Sequence, residues 1–223
     1  MPQPQNHAFA PAPQTALIDL DKFNAASLQT APFDYVIVPA FIYPAVFDSI
    51  VKDYPDIKER GSFSLSTLTY GPVFRQLLDE LSGDAFRDAV AKKFSVDLTG
   101  TPKMITVRGA CGKKDGSVHT DTESKILSLL LYMNPAWEKE GGRLRLLGSR
   151  NIDDVVTEVP PEAGTLLIFR RADNSFHGHK PFVGPRKVVQ LNWITDEKFA
   201  DRNDARHRWS SFIKKLNPFA SEY

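Results

Sequence analysis

KILSLLLYMNPAWEKEGGRLRLL, residues 125–147, decides the fold. Lys125 to Met133 is a mostly apolar stretch of strand length, Asn134-Pro135 and Gly141-Gly142 supply turn chemistry, and Gly142 to Leu147 starts a second strand. The same rhythm continues outward. Lys103–Arg108, Asp154–Val159, Gly164–Arg170, Ser175–Pro181 and Lys187–Thr195 all read as strands, separated by GACGKKDG, PPEAG and FVGPR. Many short strands punctuated in this way predict a sandwich or jelly roll. Upstream, the segment FDYVIVPAFI, Phe33 to Ile42, is strand-like, and Pro44 stands where the first turn of a helix tolerates proline, opening AVFDSIVKDY. Residues 74–94 carry Phe74, Leu77, Leu78 and Leu81, then Phe86, Val90 and Phe94, a helical period broken at Ser82-Gly83. A charge-dense helix is expected over Glu197 to Lys215. Residues 1–15, with four prolines and no apolar period, read as a disordered arm ahead of one domain over 16–223. The expected class is α+β, with helices covering one face of an antiparallel sheet.

Composition narrows the functional classes. A chain of 223 residues, 42% hydrophobic, can bury one sizeable core. Lys plus Arg number 28 against 27 Asp plus Glu, so no net field draws the chain to nucleic acid or to an anionic membrane. The longest apolar run, Leu129 to Met133, is far shorter than a membrane span. Cys111 is the single cysteine and has no internal partner, and the N-terminus lacks the basic and apolar regions of a secretory signal. A cytoplasmic location is expected.

Three of the five histidines crowd one stretch: His119, His177 and His179. Alternate residues of an extended strand project to one face, so the imidazole of His119 and the carboxylate of Asp121 can bind one metal ion from one side. A third ligand from SFHGHKP, residues 175–181, would complete a two-histidine, one-carboxylate face. Such a face leaves open positions on an octahedral iron, whereas zinc more often takes closed or cysteine-containing sets. On the residues alone, either His177 or His179 can be that third ligand.

Residues from Lys103 to Ile194 resemble the double-stranded β-helix of the 2-oxoglutarate and Fe(II)-dependent dioxygenases, in the prolyl 4-hydroxylase-like branch. KMITVRGACGKKDGSVHTD, SKILSLLLYMNPAWEKEGGRLRL, VPPEAGTLLIF and SFHGHKPFVGPRKVVQLNW carry the resemblance in order. It implies that His119, Asp121 and His177 are the iron ligands. His177 is preferred over His179 because the family places a proline four residues after its ligand, as Pro181 stands here. His179 then occupies a place where the family usually has an aliphatic residue. Asp121 as the carboxylate points to a hydroxylase, since related halogenases have a small residue there.

The resemblance also implies a cation for the distal carboxylate of 2-oxoglutarate, nine or ten positions after His177. Arg186 and Lys187 both qualify. Lys187 shares a strand face with Val189, Leu191 and Trp193, and Arg186 shares one with Val188, Gln190 and Asn192. The spacing to Trp193 favours Lys187 and the bidentate guanidinium favours Arg186, so both stand as candidates. Tyr132 matches a position whose hydroxyl assists that carboxylate, and Arg108 lies on a strand facing the site, near where family members contact co-substrate or substrate, which makes it a further co-substrate-binding candidate. Lys125, Arg143, Arg145, Arg170 and Arg171 either line an acidic substrate's path or form a solvated strand face.

The implied cofactors are Fe(II), 2-oxoglutarate and O2, in a reaction that couples C–H oxidation to decarboxylation of 2-oxoglutarate to succinate. The family's substrates include prolyl residues, amino acids and other small metabolites. A small molecule or carrier-linked metabolite is favoured here, with a protein prolyl hydroxylase, a non-catalytic β-roll or a cupin-like metal site as alternatives. No nucleic-acid or membrane partner is expected.

Overall fold

A computed structural model describes residues 15–196. The expected helix over 197–215, and nearly all of the expected arm, lie outside the described residues. The elements run α1 (Leu20–Ala25), β1 (Tyr35–Val38), α2 (Pro44–Asp53), β2 (Phe63–Ser64), α3 (Pro72–Ser82) and α4 (Asp84–Phe94). Then come β3 (Lys103–Cys111), β4 (Lys125–Tyr132), β5 (Leu144–Leu147), β6 (Val155–Val159), β7 (Leu166–Arg170), β8 (His177–Gly178) and β9 (Gly184–Ile194).

The strands form two antiparallel sheets, a six-stranded one in the order β1-β7-β4-β9-β3-β2 and a three-stranded one in the order β6-β5-β8. The fold is thus mixed, with helices and antiparallel sheets. Both edge strands of the larger sheet, β1 and β2, come from the helical N-terminal half. The strand read over Phe33–Ile42 contracts to β1, whose four residues pair with β7.

Periodicity places the helices as expected. Phe74, Leu77, Leu78 and Leu81 are the buried stripe of α3, and Phe86, Val90 and Phe94 that of α4. Proline begins both α2 and α3, where its missing N–H costs nothing. Gly83 ends α3 and begins α4.

The larger sheet is buried on both faces, by different partners. Leu127, Leu129, Leu131, Ile168, Val189, Leu191 and Trp193 share one apolar cluster with the helices. Their immediate neighbours, Tyr132, Leu167, Phe169 and Val188, share a second cluster with Leu144, Leu146 and Val159 of the smaller sheet. Period-two alternation thus divides every long strand between a helix side and an inter-sheet side.

Two sequence boundaries shift for local reasons. β9 begins at Gly184 rather than Lys187, because Pro185 lies opposite Ala110 at the β3 bulge, where a proline is tolerated. The strand expected over Ser175–Pro181 shrinks to His177–Gly178, held between β5 and a bridge to His119. Among the described residues no helix is long and apolar enough to cross a membrane.

Candidate active site

His119 and His177 are joined backbone to backbone, each N–H donating to the other's carbonyl at 3.0 Å. This bridge brings their rings to 4.4 Å between centroids. Asp121, on the same side of the extended segment as His119, completes the cluster: one ligand atom from each of the three residues lies within 4.8 Å of the others. His179 is not part of this cluster.

The imidazoles are oriented for ligation. Nδ1 of His119 lies 2.9 Å from the Ser117 carbonyl, and Nδ1 of His177 lies 2.9 Å from the Ser175 carbonyl. A carbonyl only accepts, so each Nδ1 donates and Nε2 is the ring nitrogen left for a metal ion. Burial pushes His177 down to about 4, against the opposing pull of Asp121, so it is a neutral imidazole near neutral pH. Burial acts to raise the Asp121 carboxyl, but the Lys125 ammonium, His177 and the hydrogen bonds from Lys125 and Ser128 outweigh it and hold the group below its ordinary value.

Asp121 is itself held. Lys125 Nζ reaches Oδ1 at 2.6 Å and the Ser128 hydroxyl reaches Oδ2 at 2.5 Å. The Asn192 side-chain amide lies 2.9 Å from the same hydroxyl. Asn192 Oδ1 faces that hydroxyl and Nδ2 has no partner among the described residues; the hydroxyl has one proton, which the carboxylate takes, so turning the amide over, with Nδ2 donating to Ser128, satisfies both groups. The resulting relay from Asn192 through Ser128 to Asp121 fixes the carboxylate as outer-shell groups fix metal ligands. Two imidazoles whose Nδ1 atoms are taken by carbonyls and one oriented carboxylate, with no thiolate, suit an open Fe(II) face.

The cluster opens into a cavity of about 270 Å³ between the sheets, which Leu130, Leu144, Phe169 and Val188 also line. Arg186 enters the cavity from β9 and is only 4% exposed. Its Nε donates to the Gly142 carbonyl at 2.7 Å, its Nη2 lies 3.4 Å from the Tyr132 hydroxyl, and its guanidinium sits 5.2 Å from the Tyr132 ring centroid. No carboxylate among the described residues pairs with it. Lys187 points the other way, its ammonium 5.4 Å from the Tyr54 ring centroid on the helix side. Strand parity therefore separates the two candidate cations.

The remaining sequence candidates divide clearly. Arg108 lines the cavity, and so does His179, which burial, followed by the Arg186 charge, pushes down to about 4. Gly116 packs so closely that a Cβ there would lie 2.4 Å from the His179 ring, and its φ of +94° suits only glycine. Arg145 pairs with Glu158 at 2.9 Å, Arg170 with Asp34 at 2.9 Å and Arg171 with Asp173 at 2.9 Å. Arg143 donates to the Trp137 carbonyl at 2.9 Å. None of these four lines the cavity, whereas Lys125 does. The sequence reading missed Ser128 and Asn192. The signal was there, a polar residue interrupting each of the apolar runs ILSLLLYM and VVQLNWI.

Residues 108–195 match the model of the 2OG-Fe(II) oxygenase superfamily, a span that contains all three clustered residues and Arg186. Over those residues the chain is similar to the 2OG-Fe(II) oxygenases. The cofactors of that superfamily are Fe(II), 2-oxoglutarate and O2. Solved structures of such oxygenases share the chain's fold. A prolyl 4-hydroxylase from Phytophthora capsici is 13% identical with a TM-score of 0.55, covering 92% of this chain and 77% of its own. A prolyl-4-hydroxylase from Pseudomonas putida is 17% identical with a TM-score of 0.52, covering 79% of this chain and 97% of its own. A 2OG-Fe(II) oxygenase family oxidoreductase from Burkholderia pseudomallei is 13% identical with a TM-score of 0.50, covering 79% and 91% respectively. No curated protein sequence matches the chain. At these identities the likeness of the chain to its neighbours is one of fold.

Proposed function

We propose that the chain is a hydroxylase built on a double-stranded β-helix, in which His119, Asp121 and His177 hold Fe(II) and Arg186, with Tyr132, holds the distal carboxylate of 2-oxoglutarate. The buried guanidinium of Arg186 carries this reading. A charge this deep ordinarily requires a counter-ion, and among the described residues it has none, while the metal cluster opens into the same cavity. The guanidinium fork and the Tyr132 hydroxyl together suit a carboxylate. The bound iron and co-substrate supply the oxidation, converting C–H to C–OH while 2-oxoglutarate and O2 become succinate and CO2.

The chain's own residues supply placement. Ser128 and Lys125 orient Asp121. Leu130, Leu144, Phe169 and Val188 give the cavity apolar walls that keep water from the reacting centre. Lys187, the other candidate for the co-substrate, lies on the wrong face of β9 to serve. A cavity of about 270 Å³ is small for a site that must hold 2-oxoglutarate as well, which favours a compact substrate or the end of a carrier-linked metabolite over a folded protein.

The test is an anaerobic titration of the protein with Fe(II) and 2-oxoglutarate, read by the weak visible charge-transfer band, followed by succinate release on admitting O2. The band is expected in the parent and absent from His119→Ala. A parent without the band, or His119→Ala behaving like the parent, overturns the assignment.

A further inference from the structure

The cavity wall carries three cations, Arg108, Lys125 and Arg186, against the single carboxylate of Asp121. Lys125 is matched by Asp121 at 2.6 Å. Arg186 is matched, in the reading above on which this inference rests, by 2-oxoglutarate. With Asp115 beside Arg108 counted, the three cations, the two carboxylates, an Fe(II) dication and a 2-oxoglutarate dianion leave one positive charge, and Arg108 is the cation that meets neither Asp121 nor the co-substrate.

Arg108 is aimed with care. The pairing of β3 with β9 slips between Arg108 and Ala110, a bulge of the kind that redirects a side chain beside a site. From the helix side, the Tyr54 hydroxyl lies 2.7 Å from the Arg108 carbonyl and 3.1 Å from that of Val188, clamping the slip. Gly109 presses against Ile57 so tightly that a Cβ would lie 2.1 Å from the Ile57 carbonyl oxygen. The guanidinium then meets Asp115 at 3.2 Å and the Ser62 hydroxyl at 3.4 Å. Beside it, Thr106 and Gln190 are registered partners on β3 and β9 and line the cavity. Neither makes a side-chain hydrogen bond among the described residues.

We propose that Arg108, with Ser62, Thr106 and Gln190, forms a subsite for a carboxylate of the primary substrate, which makes that substrate a small carboxylic acid. Arginine's planar fork suits a carboxylate, and three neutral polar groups complete a donor set around it. Asp115 restricts the choice further. Its negative charge beside Arg108 leaves enough attraction for a monoanion but opposes the second charge of a phosphate monoester.

The experiment uses the anaerobic Fe(II) and 2-oxoglutarate complex of the full chain. It is titrated with short-chain amino and hydroxy acids, their primary amides, and the phosphate monoesters of matching alcohols. Perturbation of the charge-transfer band is read first, then substrate-stimulated succinate release. At least one free acid is expected to act, with its amide weaker by about 10-fold or more, as loss of a charge-assisted hydrogen bond implies. Arg108→Gln should raise the half-saturating concentration of that acid by about 10-fold or more. The 2-oxoglutarate titration of the same variant should stay where it is in the parent, and Arg108→Lys should restore part of the loss. Asp115→Asn, which removes the opposing charge, should tighten the acid. Amides or phosphates acting as well as acids, no compound of any series acting, or Arg108→Gln weakening 2-oxoglutarate instead would each overturn the proposal. Absence of the band in the parent marks a failure of the iron and co-substrate assignment, a result distinct from all of these.

Discussion

The two faces of β9 differ by one residue of register and by everything chemical. Val189, Leu191 and Trp193 point into the apolar cluster shared with the helices. Arg186, Val188 and Gln190 point into the cavity between the sheets, and Asn192 reaches the Ser128 hydroxyl on that same side. β4 repeats the division, with Leu127, Leu129 and Leu131 on the helix side and Ser128, Leu130 and Tyr132 on the other. One face holds the sheet to its helices. The other can afford polar groups because its partner sheet leaves a cavity rather than closing on it.

Substitutions on the two faces should have separable effects. Asp121→Ala should reduce metal binding below detection in an equilibrium titration while leaving the thermal transition in place, since the site is peripheral to the helix-side core. Leu129→Ala, on the opposite face, should do the converse. It should cost about 2–5 kcal/mol in denaturant unfolding, the usual range for a fully buried leucine, with the charge-transfer band of the folded fraction unmoved. Arg186→Ala should weaken 2-oxoglutarate by about 100-fold in the anaerobic titration, because one partner of a buried charge pair is removed. Ser128→Ala should lower metal affinity by about 10-fold, the lower end for an outer-shell partner, as read with Mn(II) or Co(II). Lys187→Ala should leave the 2-oxoglutarate titration nearly unchanged. If it weakened co-substrate as much as Arg186→Ala, the division between the faces would not govern function.

Much of this division was legible in the sequence, because period-two alternation in β4 and β9 needs no tertiary information. The same parity split Arg186 from Lys187, but it could not say which face met the second sheet, and so both residues stayed candidates. The helix-side identity of Lys187 depends on Tyr54, more than a hundred residues upstream, which no local pattern connects to it. The pairing of His119 with His177 is another long-range fact. Their backbone bridge turns two separate signals into one cluster, while His179, on the same short segment, turns its Nδ1 to the Lys180 carbonyl at 2.9 Å instead. Strand ends were misjudged where pairing overrides composition. β9 starts at a Gly-Pro that reads as a turn, because the β3 bulge opposite it accepts a residue without an N–H.

Metal and co-substrate should both lie on the inter-sheet face. Crystals grown anaerobically with Mn(II) and 2-oxoglutarate, with anomalous data collected for manganese, measure this in one experiment. The expected result is a manganese peak among His119, Asp121 and His177, with the distal carboxylate of 2-oxoglutarate on Arg186 and Tyr132. A manganese peak away from those three residues, or the co-substrate carboxylate on Lys187, would contradict it.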